Sequence, residues 1–161
     1  MHRLMTALFL ILTACGPRPD AVPQAFRNPE APIYSSAVLE PDRMRGRWVQ
    51  IAGFGTAPLT CVPGEVVIAG GDLRWSLCLD RPQSGAGALI LGKPGRFGVP
   101  GMDDWWVLWV DGDYRTMVIG TPSGQFGFVL NRELALPADR ARAVRDIFDF
   151  NGYDPERLQF F

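Results

Sequence analysis

The sequence predicts an all-β domain, namely an eight-stranded antiparallel up-and-down β-barrel with one C-terminal α-helix packed outside and a short trailing strand. Three observations predict this fold. Short strand-like runs follow one another at a spacing of about ten residues and are separated by Gly, Pro or Asp, a pattern typical of an antiparallel barrel or sandwich. The run Trp105–Val110 is apolar on both faces, as a barrel strand covered by a helix requires. A single segment near the C-terminus has helical periodicity.

Composition limits the classes of function. The chain has 161 residues, of which 47% are hydrophobic, and this suffices for one domain with a sizeable core. The formal net charge is −1 and no basic stripe stands out, so nucleic acid is not an expected partner. The single histidine, His2, lies in a segment that we expect to be removed. We therefore expect no catalytic residue, no metal site and no cofactor.

The N-terminus has the layout of a secretory signal. His2 and Arg3 precede the apolar run Leu4–Leu12, and small residues then lead into Cys15 and Gly16. The cysteine at this place resembles a bacterial lipobox, which implies that residues 1–14 are a lipoprotein signal peptide and that Cys15 carries acyl chains. The alternative is an ordinary secretion signal with an incidental cysteine.

Residues 15–41 are polar and interrupted by prolines, which remove backbone donors and favour extended conformations. The sequence thus predicts a lipidated, Pro-rich tether over 15–41 and a barrel domain over 42–161, joined by a short turn at 42–45.

Eight strands are expected in the domain. Two turns, at Gly70-Gly71-Asp72 and Asp111-Gly112-Asp113, contain glycines suited to a positive φ. The glycine-rich stretch 81–101 is compatible with two short strands or with one strand and a loop. The predicted strands are Arg47–Phe54, Glu65–Ala69, Leu73–Leu79, Ala88–Leu91, Arg96–Val99, Trp105–Val110, Tyr114–Gly120 and Gln125–Asn131.

The helix is predicted over Pro137–Phe150. Proline suits the first helical turn, Asp139 adds favourable charge there, and Asn151-Gly152 ends the helix. Its apolar stripe consists of Ala141, Val144, Ile147 and Phe148. A last extended segment, Leu158–Phe161, is expected to add an edge strand.

Cys61 and Cys78 remain as a pair once Cys15 is set aside. An even pair in an oxidising compartment favours a disulfide, worth about 3 kcal/mol in the chain-entropy model. Redox or metal chemistry is the alternative, but no Cys-x-x-Cys spacing supports it.

Three motifs occur in order between residues 42 and 161. They are Gly46-Arg47-Trp48, Asp111-Gly112-Asp113-Tyr114-Arg115 and Val129-Leu130-Asn131-Arg132. Together they resemble the signature of the lipocalin family, specifically the outer-membrane lipoprotein lipocalins of bacteria. The signature positions are Gly46, Trp48, Asp113, Tyr114 and Arg132. The resemblance implies that Trp48 plugs one end of the barrel, where the Arg132 guanidinium can lie on the indole and Gly46 allows close backbone approach.

The resemblance also implies a ligand cavity inside the barrel. If Trp48 points inward, strand alternation directs Gln50 and Ala52 inward too. The further candidates for the lining are Trp75, Leu77, Phe126 and Phe128. We expect a lipid or other small hydrophobic ligand, of the fatty acid or lysophospholipid class, bound for storage or transport at the periplasmic face of an outer membrane.

Two other functions stay open. A non-catalytic assembly lipoprotein with a filled barrel would use the apolar residues Trp105, Trp106 and Trp109 to bind a partner or a second copy. An enzyme acting on lipids would depend on carboxylates, namely Asp103, Asp104, Asp113 or Glu133.

Overall fold

A computed structural model describes residues 25–161. The predicted signal peptide over 1–14, the lipid attachment site Cys15 and the tether up to residue 24 lie outside the described residues. No helix in the described part of the chain is long and apolar enough to cross a membrane.

The domain is a nearly closed antiparallel barrel with one helix and a trailing strand. Its strands are β1 (Gly46–Phe54), β2 (Glu65–Ala69), β3 (Asp72–Leu77), β4 (Gln83–Ala88), β5 (Ile90–Leu91), β6 (Arg96–Gly98), β7 (Trp105–Val110), β8 (Thr116–Gly120), β9 (Gly127–Asn131) and β10 (Leu158–Phe160). The helix α1 is Ala138–Phe150, and two 3₁₀-helices span Pro41–Met44 and Pro155–Arg157. The predicted all-β barrel with a C-terminal helix and a trailing strand is confirmed.

The strands are joined as a meander, in the order β4-β3-β2-β1-β9-β8-β7-β6-β5. β10 pairs with β1 outside this path, with Phe54 opposite Leu158. The two ends of the path, β4 and β5, are consecutive in the chain and are separated by Leu89. We call the gap between these two strands the seam.

The strand count differs from the prediction. Nine strands form the barrel path among the described residues, because the predicted strand Ala88–Leu91 is divided at Leu89 and a longer strand, Gln83–Ala88, precedes the break. Gln83–Ala88 is rich in Gly, Ala and Ser, so local propensity does not predict a strand there. Pairing with β3 along its whole length makes it one, with Leu77 opposite Gln83 and Asp72 opposite Ala88.

Two apolar clusters lie on the two sides of the sheet. The inner cluster fills the barrel with side chains from β1, β2, β3, β6, β7, β8 and β9, and Trp48, Trp75 and Phe128 belong to it. The outer cluster lies between the sheet and α1 and includes Phe54 and Phe148, whose rings meet edge to face at 4.8 Å. β7 contributes to both clusters, as its two apolar faces predicted.

The helix begins one residue later than predicted, since Pro137 is its N-cap. Val144 and Phe148 are its buried residues, and Asn151 is the C-cap. Gly152 follows with a φ of +80°, a left-handed conformation that glycine adopts without strain. The predicted end of the helix is therefore confirmed.

Residues 26–40, which the sequence assigns to the tether, lie along the barrel. Phe26 is buried, and its backbone N–H donates to the Gly124 carbonyl at 2.7 Å. The buried Arg27 guanidinium donates to the carbonyls of Asn151 (3.1 Å) and Pro122 (2.7 Å). Farther along, the Ser36 N–H donates to the Val107 carbonyl at 2.7 Å. We call this segment the strap.

One turn differs from the prediction. Gly70 and Gly71 both have a positive φ, at 60° and 92°. In the turn after β7, however, the positive φ belongs to Tyr114 (56°) and not to Gly112. The predicted strand beginning at Tyr114 starts instead at Thr116, because the chain is still turning at Tyr114.

Candidate functional site: the barrel interior

The barrel has two different ends. The closed end carries the 3₁₀-helix Pro41–Met44 and the start of β1, whereas the open end carries the loops 55–64, 99–104 and 121–126. The closed end limits the depth of the interior.

Arg132 and Trp48 form the plug of the closed end. The guanidinium carbon of Arg132 lies 3.6 Å from the centre of the indole, so the cation–π contact that the resemblance implied is present. The indole N–H of Trp48 donates to the Met44 carbonyl at 2.7 Å. A Cβ at Gly46 (φ +101°) would lie 3.2 Å from a guanidinium nitrogen, which explains the glycine.

Backbone carbonyls hold the Arg132 guanidinium in place. It donates to Tyr114 (3.2 Å), Arg47 (2.9 Å), Arg45 (2.9 Å) and Arg43 (3.1 Å). Burial lowers the pKa of Arg132 from its ordinary value, because the charged form loses water. The cation is thus committed to the plug and is not directed toward a ligand.

The second signature motif, which contains Tyr114, makes contacts that stabilise the closed end. The Tyr114 hydroxyl accepts from the Glu40 N–H at 2.7 Å, and its ring lies 4.1 Å below the Arg43 guanidinium. Asp113 is exposed, and the carboxylate that organises the turn is that of Asp111. One Asp111 oxygen accepts from the backbone N–H groups of Arg115 (2.7 Å) and Thr116 (2.6 Å). The sequence analysis singled out Asp113 and not Asp111, although an aspartate at either position can accept hydrogen bonds from the backbone of such a turn.

Aromatic rings dominate the middle and the open end of the interior. Trp75 meets Trp105 at 6.3 Å between ring centres, and Trp105 meets Phe128 at 5.0 Å, both edge to face. Phe126 continues the series at 5.9 Å from Phe128. Leu77 belongs to the same cluster. Of the predicted lining residues, the structure therefore brings Trp48, Trp75, Leu77, Phe126 and Phe128 together in the inner cluster.

Ala52 lies on the other side of the sheet. The pairing of β1 with β9 changes register between Gln50, opposite Leu130, and Ala52, opposite Val129. The extra residue Ile51 is a β-bulge that reverses the alternation, so Ala52 belongs to the outer cluster. The expectation that Ala52 points inward was wrong for this reason.

Gln50 is fully buried, but its amide is used by the protein itself. Its Nε2 donates to the Cys78 carbonyl at 2.8 Å, and its Oε1 accepts from the Cys78 N–H at 2.8 Å. The side chain thus pairs with a backbone segment as another strand would. We interpret Gln50 as a structural group that joins β1 to the end of β3.

Cys61 and Cys78 form the predicted disulfide, with a Cα–Cα distance of 5.6 Å. The bond connects the loop 55–64 to the segment that follows β3 at the open end. Gln50 and the disulfide therefore hold the same point of the rim, because both act on Cys78.

Two pockets border the inner cluster. One, of about 220 Å³, lies between the strap and the β5–β6 hairpin, and is lined by Leu39, Leu91, Lys93 and Phe97 among others. Phe97 belongs to the inner cluster, and Leu39 packs against it. The second pocket, of about 430 Å³, lies among the open-end loops and is lined by Met102, Asp103, Asp104, Thr121, Pro122 and Ser123.

Of the carboxylates that an enzyme would need, Asp103 and Asp104 line the open-end pocket, whereas Asp113 and Glu133 lie at the closed end. Asp103 accepts from the Ser123 hydroxyl at 2.5 Å, and Glu133 pairs with Arg115. Within residues 25–161, no group of three or more His, Cys, Asp or Glu side chains is arranged to hold a metal ion.

The surface expected for an assembly partner is largely covered. Trp105 is in the inner cluster, so only Trp106 and Trp109 of the three tryptophans lie on the outer side. The Arg96 guanidinium lies 3.6 Å over the Trp106 ring, and both outer tryptophans pack against the outer cluster.

Comparison with known proteins agrees with this architecture. A family model described as a lipocalin-like domain matches residues 94–161, which run from before β6 to the C-terminus. The crystal structure of the major allergen Per a 4 from cockroaches is similar, with a TM-score of 0.55 and 9% identity, over 83% of this chain and 94% of that chain. No curated protein matches the sequence. The chain therefore has a lipocalin-like fold.

Proposed function

We propose that this chain is a lipocalin of the bacterial lipoprotein type, anchored to the outer membrane through Cys15, which binds one lipid or similar hydrophobic molecule in its barrel. The observation that carries the binding proposal is the apolar inner cluster, which is plugged at one end by Trp48 and Arg132 and bordered by aromatic rings at the other. Apolar surface of this kind stabilises a bound hydrocarbon by about 0.8 kcal/mol per buried methylene.

A fluorescent neutral lipid tests the proposal. The methyl ester of cis-parinaric acid absorbs where tryptophan emits, so its binding near the inner tryptophans quenches their fluorescence. We expect the titration to saturate at one molecule per chain. Trp105→Phe alters the inner cluster and should change the dissociation constant, whereas Trp109→Phe, on the outer side of the sheet, should leave it nearly unchanged.

The control variant locates the site. A dissociation constant that changes with Trp109→Phe and not with Trp105→Phe would place the ligand on the surface and contradict binding in the barrel. The absence of saturable binding, together with the absence of copurifying lipid in native mass spectra, would contradict a binding function altogether.

A filled barrel with a structural role is the second candidate. It is favoured by the continuity of the inner cluster, in which the rings of Trp75, Trp105, Phe128 and Phe126 contact one another in series. A ligand would have to separate these rings, so the titration also distinguishes the two functions. If the titration shows no binding, the structural role is favoured.

The membrane anchor is supported by the sequence, since an apolar run and small residues precede Cys15. A single acyl chain binds membranes only marginally, so a stable anchor requires two or more chains. Cys15→Ser should release the protein into the soluble periplasm and abolish incorporation of labelled palmitate. The matched control is Cys61→Ser with Cys78→Ser, which should leave the protein in the membrane fraction. Retention of the Cys15→Ser variant in membranes would contradict lipidation as the anchor.

A further inference from the structure

Two buried hydrogen-bond donors inside the barrel have no acceptor. Trp75 and Trp105 are 5% and 3% exposed, and neither indole N–H has a hydrogen-bond partner among the described residues. Trp48 differs, because its indole N–H donates to the Met44 carbonyl. A buried donor without an acceptor lowers stability, so proteins seldom retain one without a functional reason.

The two indoles lie on opposite sides of the seam. Trp75 is on β3 and pairs with Gly85 of β4, whereas Trp105 is on β7 and pairs with Phe97 of β6. The two rings meet edge to face at 6.3 Å. Both donors therefore belong to the same part of the interior.

Gly85 of β4 is required by this arrangement. A Cβ at Gly85 would overlap the six-membered ring of Trp75 and touch its Cε2 atom, which is bonded to the indole nitrogen. Glycine at this position thus lets the Trp75 ring lie directly against the neighbouring strand.

The surroundings of the two donors carry no positive charge. Among residues 25–161, Arg27 is the one buried charged side chain, and its guanidinium donates to the carbonyls of Asn151, Pro122 and Ala31. Arg132 is committed to carbonyls at the closed end, and Arg96 lies over Trp106 outside the barrel. The open-end pocket adds the carboxylates of Asp103 and Asp104. An anion buried here would have no counter-ion, and such burial is costly.

We infer that Trp75 and Trp105 form a polar subsite for an uncharged hydrogen-bond acceptor, such as the carbonyl of a ketone, an ester or a protonated acid, on an otherwise apolar ligand. This inference rests on the proposed function and narrows the ligand class. A neutral lipid fits the subsite better than an ionised fatty acid, because the indoles supply donors and no charge.

Three probes of equal chain length test the inference: undecane, methyl nonyl ketone and undecanoic acid. Binding is followed by ¹H–¹⁵N NMR of the indole N–H groups, since the chain has five tryptophans and each gives one resonance. We expect the ketone to bind roughly five- to tenfold more tightly than undecane, as one or two net hydrogen bonds allow. The Trp75 and Trp105 resonances should move downfield with the ketone and not with the alkane.

Variants assign the effect to the N–H groups. Trp75→Phe and Trp105→Phe keep an aromatic ring and remove the donor, so each should reduce the preference for ketone over alkane. Trp109→Phe is the matched control and should leave the preference unchanged, because Trp109 lies in the outer cluster. Undecanoic acid should bind more weakly at pH 7 than at pH 4, since the proton restores an uncharged acceptor.

The outcomes separate this inference from the proposed function. Equal affinity for ketone and alkane would overturn the subsite while leaving hydrophobic binding in place. Tightest binding of the ionised acid would also overturn it, and would favour the pocket beside Lys93 instead. Failure of all three probes to bind would overturn both the subsite and the binding function.

Discussion

Arg132→Met should lower the free energy of unfolding by about 3 kcal/mol. The guanidinium lies 3.6 Å from the Trp48 ring centre, and a partly desolvated contact of this kind contributes about 1–2 kcal/mol. The part-buried hydrogen bond to the Tyr114 carbonyl, at 3.2 Å from a charged donor, adds about 1.5–3 kcal/mol. The other three carbonyls lie at exposed positions, where water replaces the donor at little cost.

Urea unfolding followed by tryptophan fluorescence measures this loss, and the melting temperature should fall by about 10 °C. Arg115→Met is the matched control. It removes a surface ion pair with Glu133, whose side chains are 47% and 64% exposed, so it should cost less than about 1 kcal/mol. Arg132→Lys should recover only part of the loss, since an ammonium group lacks the planar fork. If Arg132→Met lowers the free energy of unfolding no more than Arg115→Met does, the contact between Arg132 and Trp48 does not stabilise the closed end.

Three further perturbations test other parts of the fold. Gly85→Ala should destabilise the domain by about 1–3 kcal/mol, because the added methyl overlaps the Trp75 ring. The control Gly112→Ala meets open space and should change the free energy of unfolding by less than about 0.5 kcal/mol. Equal unfolding midpoints for the two variants would contradict the packing of β4 against Trp75. Replacing Cys61 and Cys78 together by serine should cost about 3 kcal/mol in thermal unfolding, and a smaller loss than about 1 kcal/mol would show that Gln50 alone holds the rim. Burial raises the pKa of the Tyr153 phenol, so folding favours its neutral form. This preference contributes to the free energy of unfolding in full below the ordinary pKa of about 10, and the contribution is lost as the pH rises above that value. Tyr153→Phe should flatten that alkaline loss in unfolding measured between pH 8 and 11, and an unchanged slope would assign the loss to other groups.

Much of the barrel followed from local signals. Trp75 and Leu77 were candidates for the lining and lie in the inner cluster, and the two apolar faces of β7 predicted a sheet covered on both sides. The end of α1 followed from Asn151-Gly152. The pairing of Arg132 with Trp48 was implied by the resemblance to the lipocalin signature, and the contact is present in the structure.

Other features depended on neighbours that are distant in the chain. A strand at Gln83–Ala88 has no local propensity in its favour, and β3 alone makes it one. The bulge at Ile51 shows no local signature, and it moved Ala52 from the inner to the outer face. The Gln50 amide can form hydrogen bonds with a ligand or with a backbone segment. In the folded chain the Cys78 backbone lies close enough to take both of these bonds.

The sequence by itself determined the fold class, the order of the elements and the apolar character of the interior, since these depend on periodicity, turn residues and composition. Tertiary structure alone decided which donors found acceptors. The indole of Trp48 reached a carbonyl and those of Trp75 and Trp105 did not, because hydrogen bonding requires close approach of two particular atoms. Such approach is set by packing across the whole barrel, and no local pattern records it.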